Sequence, residues 1–159
     1  MISSNDQPFL KRSVELAKIA LLKGHAPFGS VLVSEDNQVL FEDHNRNGKG
    51  DETRHPEFEI ARWAAEHLSP EERAKVVVYT SGEHCSMCSS AHALVGLGRI
   101  VYASSSGQLN EWKEEWGIKV GRLKTLAIED VIKDYHVDGP DEELAKEVKQ
   151  LQARYYEIM

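Results

Sequence analysis

Apolar residues recur at helical spacing near the start of the chain and again near its end. The recurring positions are Leu10, Val14, Ala17 and Leu21 in the first segment, and Leu144, Val148, Leu151 and Tyr155 in the last. Charged residues fill most positions between them, which is typical of an amphipathic helix with one buried face. Gly24 is a stop signal for the first helix, and Gly139-Pro140 is a start signal for the last.

Four short β-prone stretches lie between these two helices, at residues 28–33, 39–41, 76–80 and 100–103. The polar run 34–38 suits a short hairpin between the first two, and a polar loop follows at 45–53. These stretches are too short for helices and are rich in valine, isoleucine and aromatic residues. The pattern therefore predicts at least four strands.

Helical patterns separate the later strands. One covers residues 56–68, with a stripe of Phe58, Ala61, Ala65 and Leu68; another covers 86–97, and beyond Leu109 the chain is mostly helical and acidic. The run Ser69-Pro70-Glu71-Glu72 begins a further turn, with serine as the N-cap, proline at N1 and glutamate at N3. This alternation predicts an α/β fold, a sheet with helices on its faces. No repeat or linker interrupts the pattern, so residues 1–159 are expected to form one domain, mostly helical from about 109.

Composition narrows the possible partners. Nineteen Lys and Arg against 26 Asp and Glu give a formal charge of −7, the wrong sign for a phosphate backbone, so nucleic acid is not the expected partner. No apolar run approaches the roughly 18 residues of a membrane span. The first eight residues lack the basic and apolar regions of a secretory signal, so a cytoplasmic location is expected.

The two cysteines, Cys85 and Cys88, form a single C-x-x-C at the boundary between a predicted strand and a predicted helix. In a reducing compartment such a pair binds metal or does redox chemistry, and the redox alternative stays open here because a strand followed by C-x-x-C at a helix start is also the thioredoxin arrangement. A helix N-terminus lowers thiol pKa, which makes the thiolate available to a metal.

His55 and Glu57 supply the rest of a metal site. Pro56 fits the first position of its helix, so His55 becomes the N-cap and Glu57 the second residue, and both side chains can project beyond the helix end. His55, Cys85 and Cys88 make three ligands, the number that a catalytic zinc takes while keeping one position open. Glu57 would then lie beside that position without binding the metal.

His55-Pro56-Glu57 followed thirty residues later by Cys85-Ser86-Met87-Cys88 resembles the signature of the cytidine deaminase superfamily of zinc enzymes. The resemblance spans about residues 9–105, because residues 27–33 are similar to the first strand of the nucleobase branch and Asn45 occupies the position of that family's substrate-binding asparagine. It implies a three-layer α/β/α fold with a mixed sheet of about five strands, and usually a homodimer.

The resemblance also implies a zinc-dependent hydrolytic deaminase acting on a small aminated heterocycle, a guanine-, cytosine- or aminotriazine-like nucleobase or its nucleoside. His55, Cys85 and Cys88 would hold Zn²⁺, Glu57 would carry protons, and Asn45 and Phe28 would contact the ring. The Glu-His-Cys pattern at 83–85 and the run 98–106 are similar to bacterial guanine-deaminase-like enzymes. His84 replaces the usual proline, which introduces a potential extra ligand or substrate contact.

Some guanine-deaminase-like relatives use a second acidic residue after the fourth core strand. Here Glu111 is the first candidate for that catalytic role and Glu114 the second, although glutamate is also common in the first turn of any helix. Trp112 could stack on the substrate ring, or it could belong to the apolar face of its helix. Glu59 lies on a charged helix and is expected to be solvated, so Glu57 is preferred as the proton carrier.

Three alternatives remain open. A tRNA adenosine deaminase shares the same core, but it needs a basic surface for its RNA. A noncatalytic zinc or dithiol module could use the acidic surface to bind a protein. A closed structural zinc would require a fourth ligand, for which His84 and His92 are the candidates.

Overall fold

A computed structural model describes all 159 residues and places a mixed five-stranded sheet at the centre of the molecule. The strands are β1 (Gly29–Val33), β2 (Val39–His44), β3 (Val77–Gly82), β4 (Arg99–Ser104) and β5 (Val137–Asp138). Their order in the sheet is β2-β1-β3-β4-β5. β1 is antiparallel to both β2 and β3, whereas β4 is parallel to β3, and β5 to β4. The predicted mixed sheet is confirmed.

Seven helices and one 3-10 turn connect and cover the strands. They are α1 (Gln7–Leu22), the 3-10 turn Asn47–Lys49, α2 (Pro56–His67), α3 (Pro70–Lys75), α4 (Ser86–Val95), α5 (Ser106–Glu115), α6 (Ile128–Val131) and α7 (Glu142–Tyr155). The predicted capping box is present, because the Ser69 hydroxyl accepts the Glu72 N–H and the Glu72 carboxylate accepts the Ser69 N–H. None of these helices is both long enough and apolar enough to cross a membrane.

Alternate residues of each strand enter different hydrophobic clusters, as the period of a strand requires. On one face, Val31 and Val101 pack with α1, α5 and α7 in the largest cluster. On the other face, Leu32 and Val78 pack with α2, and Ile100 packs with α6 in a third cluster. The three-layer α/β/α architecture is confirmed by this arrangement.

The parallel pair of strands fixes where the chemistry lies. β3 ends at Gly82, α4 begins at Ser86, and β4 returns parallel to β3. In α/β sheets, functional groups gather outside the carboxyl ends of parallel strands, where successive helices begin. Cys85 and Cys88 occupy that place.

Several predicted details differ from the structure. In α2 the buried apolar residues are Ile60, Ala61 and Ala64, whereas Ala65 is exposed and Phe58 and Leu68 are only half-buried. The face is rotated from the predicted stripe because Ile60 and Ala64 pack against Leu32 and Val78 of the sheet. β2 runs on to His44, three residues beyond the prediction.

The C-terminal part is less helical than the pattern predicts. Residues 116–127 form no regular element, and β5 is a strand that the pattern does not reveal. A strand of only two residues is too short to show the alternation of apolar and polar residues in the sequence. The strand forms because it pairs with β4 and because Asp138 accepts a hydrogen bond from Arg99 at 2.8 Å.

Candidate functional site

Two helix N-termini bring the metal-binding side chains together. His55 is the N-cap of α2 in extended conformation, with φ −90° and ψ 140°, and Pro56 follows at the first helical position. Cys85 is the N-cap of α4, and Cys88 lies in its first turn. His55 Nδ1 lies 3.5 Å from Cys85 Sγ and 3.4 Å from Cys88 Sγ. Because proline fixes the start of α2, the local geometry aims His55 beyond the helix end and across to α4.

These donor atoms fit a zinc ion. With Zn–S bonds of about 2.3 Å and Zn–N bonds of about 2.0–2.1 Å, adjacent ligands of a tetrahedron stand roughly 3.6 Å apart. The two N–S distances match that spacing, and all three donor atoms lie within 4.8 Å of one another. His55, Cys85 and Cys88 are the one such group in the chain. Three ligands leave the fourth position of a tetrahedral ion open, as in catalytic zinc sites.

The three groups share protons when no metal is bound. The hydrogen bond from the Cys88 thiol lowers the pKa of Cys85 to about 4, and the same bond, together with burial, raises the pKa of Cys88. Burial opposes a charge on His55, but the bond to Cys85 and the nearby Glu57 carboxylate raise its pKa to about 9. Zinc binds thiolates and neutral imidazole, so a metal that binds here displaces protons.

His84 takes no part in this group, contrary to the predicted extra ligand or substrate contact. Its side chain is buried beneath α4, where its ring meets that of His92 edge to face at 5.5 Å. His92 Nε2 contacts the Gly98 carbonyl at 2.7 Å. Side chains alternate in direction along an extended chain, so His84 points into the protein where Glu83 and Cys85 face the pocket. Neither histidine supplies a fourth ligand.

Glu57 is buried beside the metal group. Only 6% of it is exposed, and its Oε1 accepts hydrogen bonds from Ser30 Oγ at 2.9 Å and Thr80 Oγ1 at 3.0 Å. Burial raises the pKa of Glu57, although the neighbouring His55 charge works in the opposite direction. Ser30 lies on β1 and Thr80 on β3, so two neighbouring strands fix the carboxylate. Glu59, the other carboxylate on this helix, pairs instead with Arg54 at 3.4 Å.

A pocket of about 310 Å³ opens over His55, Glu57 and Cys85. Asn45 and Phe28 line it, and the Asn45 N–H donates to the Phe28 carbonyl at 2.9 Å. Asn45 is 2% exposed, yet its side-chain Oδ1 has no hydrogen-bond partner in the protein. A buried side-chain carbonyl without a donor is rare, and this one belongs to a residue that lines the pocket.

The outer wall of the pocket comes from the C-terminal third of the chain. Its residues are Ser106, Leu109, Asn110, Lys113, Val120, Gly121, Leu123, Lys124, Thr125, Leu126, Tyr155 and Tyr156. Most belong to α5 and to the irregular segment 116–127. The sequence pattern did not predict this wall, because a segment without periodicity carries no sign of what it covers.

The structure does not bring Glu111, Glu114 or Trp112 to the pocket, which corrects their predicted roles. α5 turns Leu109, Asn110 and Lys113 towards the pocket, so Glu111 and Glu114 lie on its exposed side. Trp112 is 8% exposed and belongs to the largest hydrophobic cluster, away from the pocket lining. Trp112 therefore packs in the hydrophobic core, on the apolar face of its helix.

Glu83 and Glu52 are pocket carboxylates that the sequence pattern did not single out. Glu83 Oε2 accepts the Ser106 N–H at 2.7 Å, and its Oε1 accepts the Ile128 N–H at 2.8 Å, so one carboxylate joins the starts of α5 and α6. Glu52 accepts a hydrogen bond from Asn47 Nδ2 at 3.0 Å. The signal for Glu83 was its place at the end of a buried strand, directly before His84-Cys85.

Comparison with known proteins agrees with this site. Residues 3–104 match the family model described as the cytidine and deoxycytidylate deaminase zinc-binding region. A probable cytosine deaminase of Schizosaccharomyces pombe is 28% identical over 116 residues, covering 73% of this chain and 70% of that protein. A tRNA-specific adenosine deaminase of Rickettsia bellii is 27% identical over 101 residues, covering 62% of this chain and 70% of that protein.

Among solved structures, guanine deaminase from Nitrosomonas europaea superposes with a TM-score of 0.71 at 17% identity, covering 98% of this chain and 85% of that one, which supports the fold. The family model covers well over half of the chain and includes His55, Glu57, Cys85 and Cys88. The chain therefore belongs to the cytidine and deoxycytidylate deaminase family, whose matching region is named for zinc binding.

Proposed function

We propose that this protein is a hydrolytic deaminase that releases ammonia from a small aminated heterocycle, a nucleobase or its nucleoside. The observation that carries the proposal is the buried Glu57 carboxylate, fixed by Ser30 and Thr80, beside the His55–Cys85–Cys88 group in the pocket. A dithiol redox protein has no use for a carboxylate at this place.

Zinc held by His55, Cys85 and Cys88 would supply Lewis-acid chemistry and lower the pKa of a water molecule at its open position. Glu57 takes a proton from the attacking water and delivers it to the ring nitrogen next to the reacting carbon. It then carries the second proton from the added hydroxyl group to the exocyclic amine. The carbon–nitrogen bond breaks, the ring keeps the oxygen as a carbonyl, and ammonia leaves.

Asn45 orients the ring in this scheme. Its unpartnered Oδ1 would accept an N–H from the ring, while the Phe28 side chain offers an apolar surface to it. These contacts hold the reacting carbon near Glu57, and fixed orientation is a large part of enzymatic rate enhancement.

The test is ammonia release from zinc-loaded protein with cytosine, guanine, adenine, their nucleosides and aminotriazines. We expect turnover of at least one free base or nucleoside, abolished in the Glu57→Gln variant. A preparation that holds zinc but turns over none of these compounds would favour the noncatalytic module.

A tRNA adenosine deaminase is the second candidate, since four of the similar proteins are named tRNA-specific adenosine deaminase. The net charge of −7 disfavours it, because binding a phosphate backbone depends on cationic side chains. Inosine formation in a tRNA transcript, assayed beside the base panel, separates the two.

A homodimer in the cytoplasm is also part of this proposal, by analogy with the superfamily. Light scattering of the purified protein should give twice the mass of 17.9 kDa. A mass of one chain at micromolar concentration would remove the dimer from the proposal.

A further inference from the structure

The outer end of the pocket contains two lysines whose charges are not balanced within the protein. Lys113 on α5 is half-buried and lines the pocket, as does the exposed Lys124 from segment 116–127. Neither ammonium group takes part in the ion pairs or hydrogen bonds of the molecule. Lys113 Nζ lies over the Tyr156 ring, 5.8 Å from its centre.

An unpaired lysine in a half-buried position is unfavourable. Burial disfavours the charged form of the Lys113 amine and lowers its pKa. Arg99, which is also half-buried, pairs with both Asp6 and Asp138 at 2.8 Å. Lys113 has no such ion pair, although its own helix, α5, carries glutamates.

The pocket does contain carboxylates, but each has other partners. Glu57 is held by Ser30 and Thr80, Glu83 by two backbone N–H groups, and Glu52 by Asn47. None of the three lies within ion-pairing distance of Lys113 or Lys124. The two lysines therefore line the pocket without an ion-pair partner, and an anionic ligand can supply one.

The chain near these two lysines is also positively charged. Residues 119–124 contain Lys119, Arg122 and Lys124 and no acidic residue, in a chain whose formal charge is −7. A positive stretch beside a pocket raises the local concentration of anions there. The lysines belong to α5 and segment 116–127, whereas the metal group belongs to the starts of α2 and α4.

We infer that Lys113 and Lys124 form an anion subsite, so that the preferred substrate is an aminated ring bearing a negatively charged substituent, a carboxylate or a phosphate. This inference rests on the proposed deaminase function for the identity of the ring, and on the geometry of the outer wall for the anion. The ring lies at Asn45, Phe28 and Glu57, and its substituent extends towards α5.

Equilibrium binding measurements test the anion subsite independently of catalysis. The zinc-loaded Glu57→Gln variant is titrated calorimetrically with cytosine, cytosine-5-carboxylate, cytidine and cytidine monophosphate, and with guanine, guanosine and guanosine monophosphate. We expect at least one anionic compound to bind about tenfold or more tightly than its neutral parent, a preference that weakens as salt is raised. The carboxylate and phosphate arms show which anion the subsite takes.

Variants then assign the preference to the subsite. Adding Lys113→Met should bring the ratio of anionic to neutral affinity close to one, while Lys113→Arg keeps most of it. Lys133→Met removes the same charge at an exposed residue outside both the pocket lining and the stretch 119–124, and should preserve the ratio. A structural role for Lys113 would change the melting temperature without changing this ratio.

The inference is overturned if no anionic compound binds more tightly than its neutral parent, including the case in which none binds measurably. It is also overturned if Lys113→Met keeps the preference. Tight, lysine-dependent binding of an anion without ammonia release from the Glu57-containing protein would uphold the subsite and count against the proposed function. Ammonia release from neutral rings without any preference for anions would support the proposed function and overturn the anion subsite.

Discussion

Hydroxyl groups on two strands hold the one buried carboxylate of the site. Glu57 could not keep its orientation from its own helix alone, because a residue in the first turn of α2 has few side-chain neighbours. Ser30 Oγ and Thr80 Oγ1 also lie 2.8 Å apart, so the two hydroxyl groups form one polar cluster against Glu57 Oε1. Such support from neighbouring residues keeps a catalytic group within the narrow range of productive positions.

Replacing Glu57 by glutamine should lower kcat by about 10²- to 10⁴-fold, because an amide cannot carry the protons of the reaction. Zinc content and melting temperature should stay close to those of the parent protein. Steady-state ammonia release and metal analysis measure both. Glu59→Gln is the matched control on the same helix, where the carboxylate pairs with Arg54 at the surface. An inactive Glu59→Gln beside an active Glu57→Gln would show that the wrong carboxylate was chosen.

Purified protein should contain about one zinc per chain, from the three-ligand arrangement. Cys85→Ala and Cys88→Ala should each lose most of it, since two ligands hold zinc poorly. Metal analysis after dialysis against a weak chelator measures the loss, and Ser90→Ala on the same helix serves as the control. Metal-free protein that is fully active and carries a Cys85–Cys88 disulfide would instead indicate redox chemistry.

At the scale of elements, Glu83 joins parts of the chain that no regular structure connects. Its two hydrogen bonds reach the first residues of α5 and α6, which enclose the irregular segment 116–127. That segment supplies much of the outer pocket wall. The carboxylate thus couples the end of β3, next to Cys85, to the outer wall of the pocket.

Glu83→Ala should destabilise the protein by about 2 kcal/mol, because each lost bond involves a charged acceptor but Glu83 is partly solvated. It should also raise KM more than it lowers kcat, since the wall loses its attachment while Glu57 is untouched. Hydrogen exchange at the Ser106 and Ile128 amides reports the lost bonds directly. Glu129→Ala removes an exposed carboxylate from α6 and should change neither exchange rate. Unchanged protection of both amides in Glu83→Ala would contradict the coupling.

Across the whole molecule, a charged network ties the N-terminal segment to the far edge of the sheet. Asp6 accepts hydrogen bonds from Arg99 and from the Tyr79 hydroxyl, both at 2.8 Å, and Arg99 also pairs with Asp138. Burial alone would raise the pKa of Asp6, but the bonds from Arg99, Ser3 and Tyr79 outweigh it and hold the pKa far below its usual range.

The depressed pKa of Asp6 predicts how the stability of the protein depends on pH. An unfolded aspartate has a pKa near 3.9. The stability contributed by Asp6 is therefore complete above about pH 5 and is lost as the pH falls towards the folded-state pKa. Asp6→Asn should cost about 3 kcal/mol at pH 7, because Arg99 loses a buried partner, and the difference from the parent should shrink below pH 4.

Urea unfolding at pH 7, 4 and 3 measures this effect. Asp134→Asn, at an exposed residue that has no ion pair, is the control and should track the parent at every pH. A stability difference for Asp6→Asn that stayed constant between pH 7 and pH 3 would show that the ionised carboxylate is not what the network needs.

The sequence by itself determined the metal group and the architecture around it. Proline at the first position of α2 and a C-x-x-C at the start of α4 are local signals, since a helix cap depends on residues within one turn. The alternation of strands and helices likewise depends on short-range periodicity, and it predicted a helix-covered sheet. The motif that marks the deaminase family is built from these same local features.

Tertiary structure decided what surrounds that group. Glu83 contacts Ile128 across 45 residues, and Glu57 contacts Ser30 across 27. Contacts at such separations leave no trace in local pattern, and neither does the phase of a helix that is set by the sheet beneath it. The sequence alone therefore assigned Glu111 and Trp112 to the site and gave no sign of Lys113. The packing of α5 against the core placed Trp112 inside, Glu111 in solvent and Lys113 at the pocket.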